Sequence, residues 1–107
     1  MKSRIVLVIL FCLLAGCAAV DVTKTAKGFY DPTDPNEIEI LKTIPSKVYE
    51  ELGTITAVRF NPIETAVMHN AIRSKAAPLG ANAAILMQEG IDANVLRWAM
   101  GVAIRYK

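Results

Sequence analysis

Cysteine is nearly absent from this chain: two residues in 107, Cys12 and Cys17, both near the start. Cys12 sits inside an apolar run and is lost if that run is cleaved away, which leaves a single thiol. The remaining domain then has no internal disulfide, no cysteine-based zinc site and no spare thiol nucleophile, so its stability must come from packing. There is one histidine, His69, which by itself cannot build a metal centre. Compact Lys/Arg clusters are missing, which argues against a nucleic-acid partner. No phosphate-binding glycine loop appears, and Ser46 and Ser74 have no Ser/His/Asp context or nucleophile-elbow glycines. These gaps argue against hydrolase and nucleotide chemistry, and the chain reads as a non-enzyme.

What is present is concentrated at the start. Sixteen of the first 20 residues are apolar, and the positive mean hydropathy of +0.36 largely reflects that segment. Lys2 and Arg4 precede an apolar run from Ile5 to Ala15, which ends at small residues. This is the basic, apolar and small-residue order of a secretory signal. About eleven apolar residues fall well short of the roughly twenty that span a bilayer as a helix. With Lys2 and Arg4 removed, the 12 Lys and Arg become 10 and balance the 10 Asp and Glu. The precursor's pI near 8.6 therefore carries no argument about the domain.

Leu14-Ala15-Gly16-Cys17 resembles the lipobox of bacterial lipoproteins. The resemblance implies a signal peptide over 1–16, cleavage between Gly16 and Cys17, a diacylglyceryl group on the Cys17 thiol and an acyl chain such as palmitate on the new amine. Small residues let an extended backbone enter the peptidase, and the thiolate is the nucleophile that accepts lipid. In Gram-negative lipoproteins an acidic residue after the cysteine tends to retain the protein at the inner membrane. Ala18 and Ala19 follow here, so the resemblance implies the periplasmic side of the outer membrane.

The stretch 17–36 is rich in Thr, Lys, Asp, Gly and Pro, with turns at Asp31-Pro32 and Asp34-Pro35. It reads as a lipidated N-terminus and flexible tether, with Phe29-Tyr30 the one apolar pair available to dock on the domain. Residues 37–107 read as a small α+β domain. Glu37 to Ile44 alternates, with Ile38, Ile40 and Ile44 on one side, as in a half-buried strand. Tyr49 to Phe60 is β-rich and interrupted by Gly53, which predicts a bend or bulge there.

Asn61-Pro62-Ile63-Glu64 has the form of a helix start, with Asn61 as cap, Pro62 in the first position and Glu64 completing a capping box. The predicted helix runs to Leu79 and stops at Gly80. Met68, Ile72, Ala76 and Leu79 form its core stripe, and Asn70, Arg73 and Ser74 face water. Ala81 to Gln88 predicts a short buried strand, Glu89 to Asn94 a loop, and Trp98 to Tyr106 a strongly alternating last strand. The order is strand-strand-helix-strand-strand, one helix packed on a mainly antiparallel sheet.

Tyr49-Glu50-Glu51-Leu52-Gly53, followed by Ala71 to Ala83 (AIRSKAAPLGANA), resembles small bacterial domains of the RcsF and YbjQ kind. The resemblance spans about residues 45–90 and implies a helix against a sheet. RcsF is an outer-membrane lipoprotein that senses envelope stress, and its domain carries disulfide-forming cysteines absent here. YbjQ-like domains carry a metal-binding label and assemble into rings, which leaves room for a homo-oligomer through an edge strand. The expectation is a non-enzymatic, lipid-anchored envelope protein, an interaction or envelope-sensing accessory module with a protein partner and no cofactor. The alternative is a metal-binding periplasmic module in which His69 joins Met68, Met87 and Met100, provided the fold converges them. Glu50-Glu51 does not form a catalytic pair, because neighbours on a strand point to opposite faces. A lone Trp98 at the start of a strand caps a core edge more often than it stacks on a ligand.

Overall fold

In a computed structural model, which describes residues 17–107, five strands form one sheet with a helix on one face. The elements are β1 (Ala19–Lys24), a 3-10 turn (Pro35–Glu37), β2 (Glu39–Leu41), β3 (Tyr49–Phe60), α1 (Thr65–Ala76), a second 3-10 turn (Ala77–Leu79), β4 (Ala83–Ile91) and β5 (Arg97–Tyr106). The strand order is β1-β3-β5-β4-β2. Three pairings are antiparallel, and β2 joins β4 in parallel. The expected α+β class, with one helix on a mainly antiparallel sheet, is the observed one. The expected signal peptide over 1–16 lies outside the described residues.

Met68, Ile72 and Ala76 lie four residues apart, so they fall on one side of α1, and all three are fully buried. They pack on a sheet face made largely of small residues, Ala57, Ala84, Ala99 and Ala103, with Leu52, Ile55 and Phe60 beside them. The small side chains admit the helix close to the sheet. Consequently the bulky half of β5 points the other way. Ile104 is buried on that opposite face with Ala83 and Ile85, and Leu41, Tyr49, Val102 and Tyr106 pack around them.

Six sequence expectations are corrected. The tether over 17–36 is largely part of the domain: Ala19–Lys24 pairs with β3 from Val58 to Gly53, and Val20 is buried. Tyr30 then stacks under the Arg105 guanidinium at 4.6 Å and donates its hydroxyl to Glu50, while Thr33 donates to the Ala81 carbonyl at 2.6 Å. The strand over Glu37–Ile44 contracts to three residues, because Ile38 is already buried against the helix layer and Ile44 is 64% exposed.

The helix starts later than its cap signature implies. Asn61 Oδ1 accepts from the Ile63 amide at 3.1 Å and the Asn61 carbonyl from Glu64, which makes a turn, and Glu64 makes no side-chain cap bond. At its far end Leu79 lies in a 3-10 turn, not in the helix, although Gly80 at φ 84° is the left-handed stop expected. Arg73 does not simply face water, because its Nε donates to the Ile38 carbonyl at 2.9 Å. Lastly, β4 continues to Ile91, so the loop shrinks to a hairpin turn around Asp92. The bulge expected near Gly53 is present, as a register shift between Glu51 and Gly53.

Candidate functional site

Cys17 lies at the start of the described chain, exposed, with only Ala18 between it and β1. Ala19 pairs with Val58, which sets Cys17 beside the bulged end of β3. Arg59 sits in that bulge at φ 61°, and its Nε donates to the Cys17 carbonyl at 2.9 Å. Strand pairing and an arginine side chain thus hold the residue expected to carry lipid against the domain. Gly16, on the other side of the expected cleavage point, falls outside the described residues.

His69 occupies the flank of α1, half-buried, and its Nε2 is enclosed without a hydrogen-bond partner. Burial lowers its pKa first, and the nearby cations Arg73, Lys42 and Arg97 push the same way against Glu89. Glu89 is itself bridged to Lys42 at 3.2 Å and to Arg97 at 3.6 Å. This is a histidine held neutral among cations, a poor place for a further positive ion.

The methionines do not gather around it. Met68 is sealed between α1 and the sheet, while Met87 and Met100 are 56% and 46% exposed across the sheet on the uncovered face. The sheet separates Met87 and Met100 from His69, so the convergence that the alternative metal-binding reading requires is not seen among the described residues. Among the described residues, no group of three or more His, Cys, Asp or Glu converges to hold a metal ion.

The uncovered face carries a shallow depression of about 410 Å³ floored by the backbone at Ile55 and Gly101 and edged by Thr54, Thr56, Met87 and Met100. Gly101 is required there, because a Cβ would meet the Ile85 carbonyl oxygen at 2.1 Å. Trp98 borders this face, half-buried, with its indole over Gly90. At the other end of the sheet, Thr33, Asp34, Glu37, Glu39, Lys47 and Tyr106 are among the residues lining a polar cleft of about 350 Å³. Burial and the Glu39 carboxylate raise the Tyr106 pKa. The cleft is largely bound up in structure, since Asn82 Oδ1 accepts from the Tyr106 amide at 2.9 Å.

Glu50 and Glu51 stay apart: Glu50 takes the Tyr30 hydroxyl, and Glu51 is exposed. That bond is also the chief cause of the raised Tyr30 pKa. The Tyr30, Glu50 and Arg105 contact was not foreseen, although Phe29-Tyr30 marked the place. Gly80 completes it by accepting from Arg105 at 2.9 Å, and a Cβ on Gly80 would strike the Tyr30 Cβ at 2.6 Å.

The motif residues of 49–53 and 71–83 hold the fold. Leu52, Ala76, Ala77 and Ala81 are core, Gly53 underlies β1, and Gly80 is the helix stop beneath Tyr30. No family model and no curated protein matches the chain. What the architecture defines is a two-layer α+β domain, one helix on a five-stranded mixed sheet. The same fold occurs in the crystal structure of a Francisella virulence factor, FvfA, in its orthorhombic form, with a TM-score of 0.59 and 13% identity. The match covers 81% of this chain and 97% of that one.

Proposed function

We propose that the chain is a lipid-anchored lipoprotein of a bacterial cell envelope, a non-enzymatic interaction or accessory module held on the periplasmic side of the outer membrane. The observation that carries this reading is Leu14-Ala15-Gly16-Cys17 behind a basic, eleven-residue apolar leader, with Ala18 and Ala19 following. Acyl chains contribute about 0.8 kcal/mol per buried methylene, so a diacylglyceryl group with an added acyl chain anchors firmly where one chain binds marginally. The domain's ordered start at Ala19 fits an anchor placed directly before it. A module that acts through contact needs a rigid scaffold more than a reactive centre. The core of alanines under α1 and the Tyr30 latch supply that rigidity.

The test is Cys17→Ala. The variant is expected to accumulate as unprocessed precursor without acyl mass. Normal processing and membrane retention of this variant would contradict the reading.

A further inference from the structure

Phe60, Arg97 and Ile91 share one level of the sheet, because Arg97 pairs with both others. Beyond that level lie the turn at 61–64, the first turn of α1 and the β4–β5 hairpin tip. Cys17 leaves the domain from this same end. Four large apolar side chains are exposed there: Ile63 at 88%, Val95 at 66%, Val67 at 51% and Ile91 at 47%. Val95 stands at the hairpin tip with φ 61°, a conformation in which Gly or Asn is the usual residue and a β-branched one is an outlier. Asp92 fixes that tip by accepting from the Asn94 and Leu96 amides at 2.9 and 3.0 Å, which turns its carboxylate inward. The only other non-glycine at positive φ among the described residues is Arg59, beside Cys17.

We infer that this end of the domain is a lipid-contacting rim, in which Ile63, Val67, Ile91 and Val95 enter the headgroup layer of the membrane that anchors Cys17. The inference rests on the lipid anchor read above. One intervening residue gives the chain a reach of about 7 Å from Cys17 to Ala19, and the interfacial layer on each side of a bilayer is itself about 6 Å deep. A domain so closely tied cannot stand clear of the headgroups. An exposed apolar ring at the anchored end is the surface that a bilayer interface accepts. Arg59 adds one positive charge beside Cys17, whereas Arg97 is held by Glu89 at 3.6 Å and by the Pro62 carbonyl at 3.2 Å.

The experiment uses the processed, lipid-bearing protein in vesicles of phosphatidylethanolamine and phosphatidylglycerol. A polarity-sensitive fluorophore is placed by cysteine substitution at Ile63 or Val95, and at Phe29 or Val48 on the opposite end as controls. Labels at 63 and 95 are expected to emit to the blue of the controls and to be reduced several-fold more slowly by dithionite. Equal emission and equal reduction at all four positions, in protein whose Cys17 peptide carries the acyl mass, overturns the rim and leaves the anchor standing. A Cys17 peptide without that mass overturns both.

Discussion

Replacing Gly53 by alanine tests whether the segment after Cys17 is a tether or a strand. If 17–36 were loose chain, alanine would be neutral or would stabilise by about 0.5–1 kcal/mol, because glycine within a strand is the less favourable residue. In the structure a Cβ at this position would lie 2.6 Å from the Thr23 carbonyl oxygen, 3.1 Å from Leu79 Cδ1 and 3.2 Å from the Lys24 Cα. Carbon–oxygen contacts in sheets settle near 3.3 Å, so β1 would have to withdraw by about 0.7 Å. Overpacking of this kind costs about 1–3 kcal/mol, which leaves a net loss centred near ~1 kcal/mol after alanine's intrinsic gain. For a domain of this size, that corresponds to a fall in Tm of about 4–8 °C. Thermal unfolding of the purified protein reads it, and amide exchange over Ala19–Lys24 should accelerate more than over β5. An unchanged or raised Tm would refute the packing of β1 over Gly53.

Truncating Ile72 to alanine in the fully buried stripe of α1 should destabilise by about 2–5 kcal/mol, whereas Ser74→Ala on the exposed side should stay within about 0.5 kcal/mol; urea unfolding separates the two. Because His69 has its folded pKa lowered below the ordinary value of 6.5, the unfolded chain binds the extra proton first. Stability should therefore fall as pH drops below about 6.5, until the folded pKa is passed, and His69→Gln should flatten that slope in a series of unfolding curves. In-cell crosslinking of the tagged full-length protein is expected to capture one dominant envelope protein, and recovery of self-crosslinks alone would shift the reading to an oligomeric role.

The elements read correctly from sequence are those whose pattern is local. Met68, Ile72 and Ala76 are spaced by one helical turn, Gly80 marks a left-handed stop, and Gly53 breaks a long β run; each acts on its own neighbourhood. β1 escaped because Ala-Val-Asp-Val-Thr-Lys carries only two clearly apolar residues, and its strand character comes from its pairing with β3, 29 to 39 residues away in the chain. The short parallel β2 is set likewise by β4, and its own alternation extends beyond the residues the partner can pair. The Asn61 signature was read one step too far, since the same side-chain acceptor that caps a helix also closes a turn.

The candidate site was legible only in part. Cys17 stands out by motif, whereas the separation of His69 from Met87 and Met100 follows from which face each strand residue takes. That assignment depends on the Leu86/Gln88 and Ala57/Phe60 register shifts. In β5 the small residues face the helix and the bulky ones face away, and alternation alone is symmetric between those two choices.

Mass spectrometry of the N-terminal peptide of the protein recovered from cell membranes tests the central claim most directly. The account predicts a mature chain that begins at Cys17 and carries a diacylglyceryl group on its thiol, with an acyl chain on its amine. A peptide that begins elsewhere, or one with an unmodified Cys17, would contradict it.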